Sequence, residues 1–156
     1  MAELKDRLRT DLSAAIKSRD SVTVATLRMA LTAITTEEVS GSSARELSDD
    51  EVLAVLAREA KKRREAAEVF AAAGRDELAT RERAEGEVLA RYLPQQLGDD
   101  ELMTLVGEVI DDIAGQLGTR PNLGQLGLVM KAAKAKASGR AEGQRLATAV
   151  MAALRT

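Results

Sequence analysis

Cysteine, histidine and tryptophan are absent from this 156-residue chain, which carries one phenylalanine, one tyrosine and two prolines. Without cysteine there is no disulfide, no thiol nucleophile and no thiolate metal ligand. Without histidine there is no imidazole base and no ordinary zinc or haem site. Most familiar catalytic constellations are thereby excluded, and neither a metal nor a cofactor is expected. Scarce aromatics also argue against RNA recognition by base stacking on exposed rings. An excess of one charge is missing too: 23 Lys and Arg stand against 25 Asp and Glu, a net charge of -2. Global attraction to nucleic acid is therefore excluded, and any binding patch must be local. No stretch approaches the roughly 18 apolar residues of a membrane span, and Met1 to Arg7 are charged where a signal peptide would be apolar. A cytoplasmic chain with no membrane partner is expected.

What remains is a helical composition. Apolar residues make up 45% of the chain and aromatics 1%, whereas strands favour aromatic and β-branched side chains. Leu4, Leu8, Leu12 and Ile16 predict a first amphipathic helix to about Ser18, and Asp20 caps a second whose seam is Val24, Leu27, Leu31 and Ile34. The polar stretch Ser40 to Glu46 reads as a loop. Ser48 with Glu51 forms a capping box that opens a third helix with the seam Leu53, Leu56, Ala60, Arg63, Ala67 and Phe70. Gly74 is suited to cap it in a left-handed conformation. A fourth helix, with Leu78, Glu85, Val88, Leu89 and Tyr92 on its seam, ends at Pro94. Three short helices follow. The fold class expected is all-α: an N-terminal four-helix domain over residues 1–95, then a small C-terminal three-helix domain over 96–156.

Two seam positions break the apolar pattern. Arg63 and Glu85 lie equally far from Gly74, so a hairpin folded there brings them face to face. An ion pair between the third and fourth helices is predicted, which can be bidentate; the alternative is an Arg63 that snorkels to water.

The second domain is a charge dipole along the sequence. Gly98 to Gly118 holds six acids (Asp99, Asp100, Glu101, Glu108, Asp111, Asp112) and no base, while Thr119 to Thr156 holds seven bases and the single acid Glu142. Lys131, Lys134 and Lys136, with Arg140 just beyond, are the candidate phosphate contacts, and main-chain N–H groups near Gly139 and Gly143 would allow close approach. This assignment needs the cations to be free of Glu108, Asp111 and Asp112; a solvated helix balancing its acidic neighbour is the competing reading. Lys61 to Arg64 is a second basic run, for which intrahelical pairs with Glu59, Glu65 and Glu68 are the default. The acidic starts Asp49-Asp50-Glu51 and Asp99-Asp100-Glu101 are read as first-turn carboxylates favoured by the helix dipole, not as metal ligands. Ser40-Gly41-Ser42-Ser43 faintly echoes an amidase serine loop but lacks the lysine and sheet scaffold of that chemistry.

Several segments together resemble the GatB/YqeY family: Arg19-Asp20-Ser21-Val22, Thr26-Leu27-Arg28-Met29, Glu59 to Arg63, Ala73-Gly74-Arg75, Tyr92-Leu93-Pro94-Gln95-Gln96-Leu97, Val129-Met130-Lys131 and Gly139-Arg140-Ala141-Glu142-Gly143. The last part of that family is similar to the tail domain of the GatB subunit of the tRNA-dependent amidotransferase. The resemblance implies a non-catalytic, tRNA-interacting or amidotransferase-associated factor. It implies tRNA, and amidotransferase or aminoacyl-tRNA synthetase components, as partners, and a link to carbon-nitrogen ligase activity with glutamine as amide donor. Whether the chain is itself an enzyme stays open, since no catalytic constellation is visible in it. The alternative is a protein-docking module acting through the acidic helix.

Overall fold

Seven α-helices, one 3-10 turn and, among the described residues, no strand make up the structure, a computed structural model that describes residues 3–156. Helices α1 (Glu3–Ser18), α2 (Ser21–Glu38), α3 (Asp49–Ala72) and α4 (Asp76–Ala90) belong to one compact unit, and α5 (Asp99–Leu117), α6 (Leu126–Ala137) and α7 (Gly143–Leu154) to another. The division falls between Leu93 and Pro94, two residues earlier than the sequence boundary. Pro94 to Leu97 is stitched to the α6–α7 turn: the Leu97 N–H donates to the Arg140 carbonyl (2.8 Å) and Gln96 Nε2 to the Gly139 carbonyl (3.1 Å).

The first unit buries Leu8, Leu27, Ile34, Leu56, Val88 and Leu89. Its caps are as the sequence requires. Ser48 Oγ accepts from the Glu51 N–H, and a Glu51 carboxylate oxygen accepts from the Ser48 N–H. Arg45 grips the same carboxylate and, with those cap bonds, pushes its pKa down to about 2. At Gly74 (φ +75°) the Arg75 N–H donates to the Phe70 carbonyl and the Gly74 N–H to that of Ala71, a Schellman closure of α3.

Two expected seam residues, Ile16 and Leu78, are exposed. Ile16 is 48% exposed and Ala15 is buried instead. Steps of four residues each drift about 40° around a helix of 3.6 residues per turn, so a Leu4-Leu8-Leu12-Ile16 stripe leaves the buried face by its fourth member. Leu78 is 40% exposed. An ion pair that the sequence did not announce joins Lys5 to Glu38 at 2.8 Å, both side chains nearly buried. Thirty-three positions separate the two, so no local pattern links them. The bond from Lys5 holds the Glu38 carboxyl below the usual range, and Glu38 also accepts from the Leu47 N–H, anchoring the loop before α3.

At the α1–α2 turn, Arg19 takes the left-handed conformation (φ 60°), with its N–H donating to the Ile16 carbonyl and the Asp20 N–H to that of Ala15. This is a Schellman closure with arginine where glycine is favoured, and an L side chain there costs roughly 1–2 kcal/mol. Arg19→Gly should therefore raise stability by about 0.5–1 kcal/mol. Thermal melts of Arg19→Gly and Arg19→Ala check this: only the glycine variant should melt above the parent, and an unchanged or lower melting temperature would remove the strain argument.

In the second unit, α5 buries Leu102, Val106, Val109, Ile110 and Ile113 against Val129 and Ala133 of α6 and Leu146, Val150 and Leu154 of α7. The acidic start of α5 acts as expected for a first turn. The Gly98 N–H donates to Glu101 Oε1 at 3.1 Å.

Candidate nucleic-acid interface

Helix α6 puts Val129, Ala133 and Ala137 into the core, so residues half a turn away face solvent. At 100° per residue, Lys131 and Lys134 stand 60° apart on that outer face, and Lys136 lies about 140° around from Lys131. The three lysines therefore do not form one cluster. Lys131 and Lys134 are exposed, and their side chains pair with no described residue. Lys136 instead reaches Glu108 of α5 at 2.6 Å, and that bond raises its pKa. Lys136 is thus spent on the acidic helix, which corrects the expectation that it is free to hold an anion.

Arg140 is corrected in the same way. Its main chain closes the α6–α7 turn, donating to the Ala137 carbonyl and accepting from the Leu97 N–H. Its guanidinium donates to the Gln95 carbonyl at 3.3 Å and lies 4.0 Å from Glu101. Ser138 (φ 48°) and Gly139 (φ +79°) make the turn left-handed at two successive positions, and the Gly139 carbonyl is taken by Gln96. Gly143 is the first residue of α7, whose N-terminal turn has no side-chain cap. Its N–H groups are the part of the expected main-chain site that remains open.

Two more of the seven bases are structural. Arg145 bonds the Leu97 carbonyl and Asp99, each at 2.6 Å, and Arg120 donates to the Ala153 carbonyl at 2.8 Å near the end of α7. What remains outward and unpaired among the described residues is Lys131, Lys134 and Arg155 on the basic side, and Asp100 and Asp111 on the acidic side, since Asp112 lies close enough to Lys136 to raise its pKa. Sequence reasoning did not anticipate Leu128, which is 47% exposed. It lies three residues before Lys131, on the same outer stripe.

The other candidates settle into local roles. In the run Lys61 to Arg64, Lys61 lies 3.9 Å from Glu65 and Lys62 3.4 Å from Glu59, while Arg63 turns inward. Arg63 and Glu85 meet between α3 and α4 at 3.5 Å, with side-chain exposures of 10% and 9%. The bidentate geometry is not formed. Arg63 Nη1 goes to Glu59 at 2.6 Å, Nη2 contacts Met29 Sδ at 3.2 Å, Nε has no hydrogen-bond partner, and Arg81 shares Glu85 at 3.5 Å. Four residues C-terminal to Glu59 on one helix, Arg63 finds that carboxylate without any tertiary constraint, so the fork is divided before it reaches across.

Among the described residues no group of acids converges to hold a metal ion, and no helix is long and apolar enough to cross a membrane. A family model described as Yqey-like protein matches residues 5–154. A search of the curated proteins returned no match.

Proposed function

This chain belongs to the YqeY-like family, and on that premise we propose that it works without catalysing a reaction, as a tRNA-interacting or amidotransferase-associated factor. One observation carries the reading: Lys131 and Lys134 project from one face of α6 unpaired, although acids of the same unit already engage Lys136, Arg140 and Arg145. Two unpaired ammonium groups about one helical turn apart suit successive phosphates of a folded RNA. The uncapped start of α7 adds main-chain donors for a further phosphate oxygen. The resemblance of the segments around Met130 and Gly139 to the GatB tail, read from the sequence, supports tRNA as the ligand, and carbon-nitrogen ligase activity with glutamine then belongs to the complex the factor serves.

Binding of tRNA over a series of salt concentrations tests this. Each phosphate-contacting lysine removed should lower the slope of log K against log salt by about 1. Lys131→Ala/Lys134→Ala should therefore lose about two units of slope and, at low salt, roughly tenfold or more in affinity. Lys136→Ala should bind like the parent. Superimposable isotherms for the double variant and the parent at every salt concentration would overturn the reading. A second reading, docking of a synthetase or amidotransferase subunit, is favoured by Asp111 and Asp112, both exposed on α5. Its signature is copurification that survives RNase and is lost in Asp111→Lys/Asp112→Lys.

A further inference from the structure

The first unit's core ends before its longest hairpin does. Of α3, only Val52, Val55, Leu56 and Ala60 belong to or touch the hydrophobic core, and of α4 only Val88 and Leu89. Beyond the Arg63–Glu85 level the hairpin continues to Gly74, and its buried residues there are Ala67 and Ala79 alone. Helix α2 touches the hairpin at this level, where the Met29 sulfur contacts Arg63. Past that point α3 and α4 form a two-helix arm of about three turns, or ~18 Å at 1.5 Å per residue.

The arm's surface is not that of a solvated hairpin. Phe70 is seven residues beyond Arg63 and Leu78 seven residues before Glu85, so the two stand side by side across the hairpin. Phe70 is half-buried, Leu78 is 40% exposed, and Val69 next to them is 66% exposed. Leu78, Glu82, Glu85 and Leu89 recur at heptad spacing, one stripe of α4. At its inner end Leu89 packs in the core, and at its outer end Leu78 is exposed. Leu78 is thus a seam residue on a seam whose partner ends too early. Glu82 on that stripe is half-buried, and Arg75 at the tip is exposed; neither side chain pairs with any described residue.

We propose that this arm is a self-association surface, covered by the same arm of a second copy running antiparallel to it. The occupant follows from the order of residues along the stripe. An apolar centre, Phe70 with Leu78, is flanked by a cation toward the tip, Arg75, and by a carboxylate toward the base, Glu82, at nearly equal distances of three and four residues from Leu78. A two-fold axis through the apolar centre reverses that order. Arg75 of each copy then meets Glu82 of the other, and the leucines and phenylalanines close on one another, as an isologous interface requires. The contact relieves the half-buried, unpaired Glu82 and covers the exposed apolar stripe in one step.

Sedimentation equilibrium of the full chain, without RNA and over a wide protein concentration range, measures the association directly. A dimer is expected in the parent. Glu82→Lys and Arg75→Glu should each weaken it by roughly tenfold or more through like-charge contacts, and Arg75→Glu/Glu82→Lys should restore it, because the reversed charges again complement one another. Leu78→Asp should abolish it, with an unchanged helical circular dichroism spectrum showing that the exposed site tolerates the change. A parent that stays monomeric throughout, as when a different protein is the natural occupant, overturns the proposal, and so does a double reversal that associates no better than the single ones.

Discussion

Replacing Glu85 with alanine is expected to lower the stability of the first unit by about 3 kcal/mol, with a fall in melting temperature of roughly 10–20 °C for a unit of this size. Removing one partner of a buried ion pair ordinarily costs about 3–5 kcal/mol, because the other charge stays behind in a dry site. Arg63 would be that charge. Its side chain is 10% exposed and its Nε, which points at Glu85, already lacks a hydrogen-bond partner. The figure sits at the low end because Glu59 still holds Nη1 at 2.6 Å. Glu87, exposed on the same helix and unpaired, is the control, and Glu87→Ala should change stability by less than about 0.5 kcal/mol. The hydrophobic replacement Arg63→Met/Glu85→Leu should recover most of the loss, since an apolar pair of similar volume often matches a buried ion pair. Urea unfolding of the four proteins decides the matter. If Glu85→Ala unfolds at the same midpoint as Glu87→Ala, then Arg63 reaches water in the variant and the pair is not a structural element.

The same residues show what a sequence can and cannot disclose. The capping box at Ser48 and the glycine closure of α3 were legible because each is a local bond pattern between residues three to five apart, fixed by side-chain type. The encounter of Arg63 with Glu85 was legible from symmetry about Gly74. Its geometry was not, because Glu59 and Arg81, each four residues away on the same helix, compete for the two partners, and only coordinates show how the fork is shared. The Lys5–Glu38 bond lay beyond reach for a different reason: it depends on how α1 lies over the end of α2, which no periodicity encodes. For the candidate interface, a run of basic residues marked a neighbourhood, and the coordinates divide its members. Lys131, Lys134, Lys136, Arg140 and Arg145 look alike in sequence, whereas position on the helix and the acids opposite separate two outward lysines from three structural cations. Leu78 was placed on a seam correctly and expected to be buried wrongly, because the length of the partner helix, not the stripe itself, decides whether a seam is covered.

Leu146→Ala should have the largest effect anywhere in the second unit, and should act on binding without touching a charged group. Leu146 is 1% exposed and lies in the cluster with Val106, Ile110, Val129 and Val150. A Leu→Ala change at such a site costs about 2–5 kcal/mol, from lost transfer energy plus the cavity left behind. The unit spans only Pro94–Thr156, and a domain of that size has roughly 3–9 kcal/mol in total to lose. The variant should therefore melt in two steps, with the second unit unfolding first and the first near the parent temperature. Amide spectra recorded between the two transitions should keep the resonances of α1 to α4 and lose those of α5 to α7. Affinity for tRNA should fall in proportion to the folded fraction of the second unit, although Lys131 and Lys134 are both present, because their 60° separation exists only while α6 is a helix. Glu85→Ala supplies the reciprocal case, weakening the first unit while leaving tRNA affinity intact below its own melting temperature. A single transition at the parent temperature in Leu146→Ala would mean that the core of α5, α6 and α7 is not where this unit's stability resides. Full RNA affinity with the second unit unfolded would instead place the binding surface outside α6.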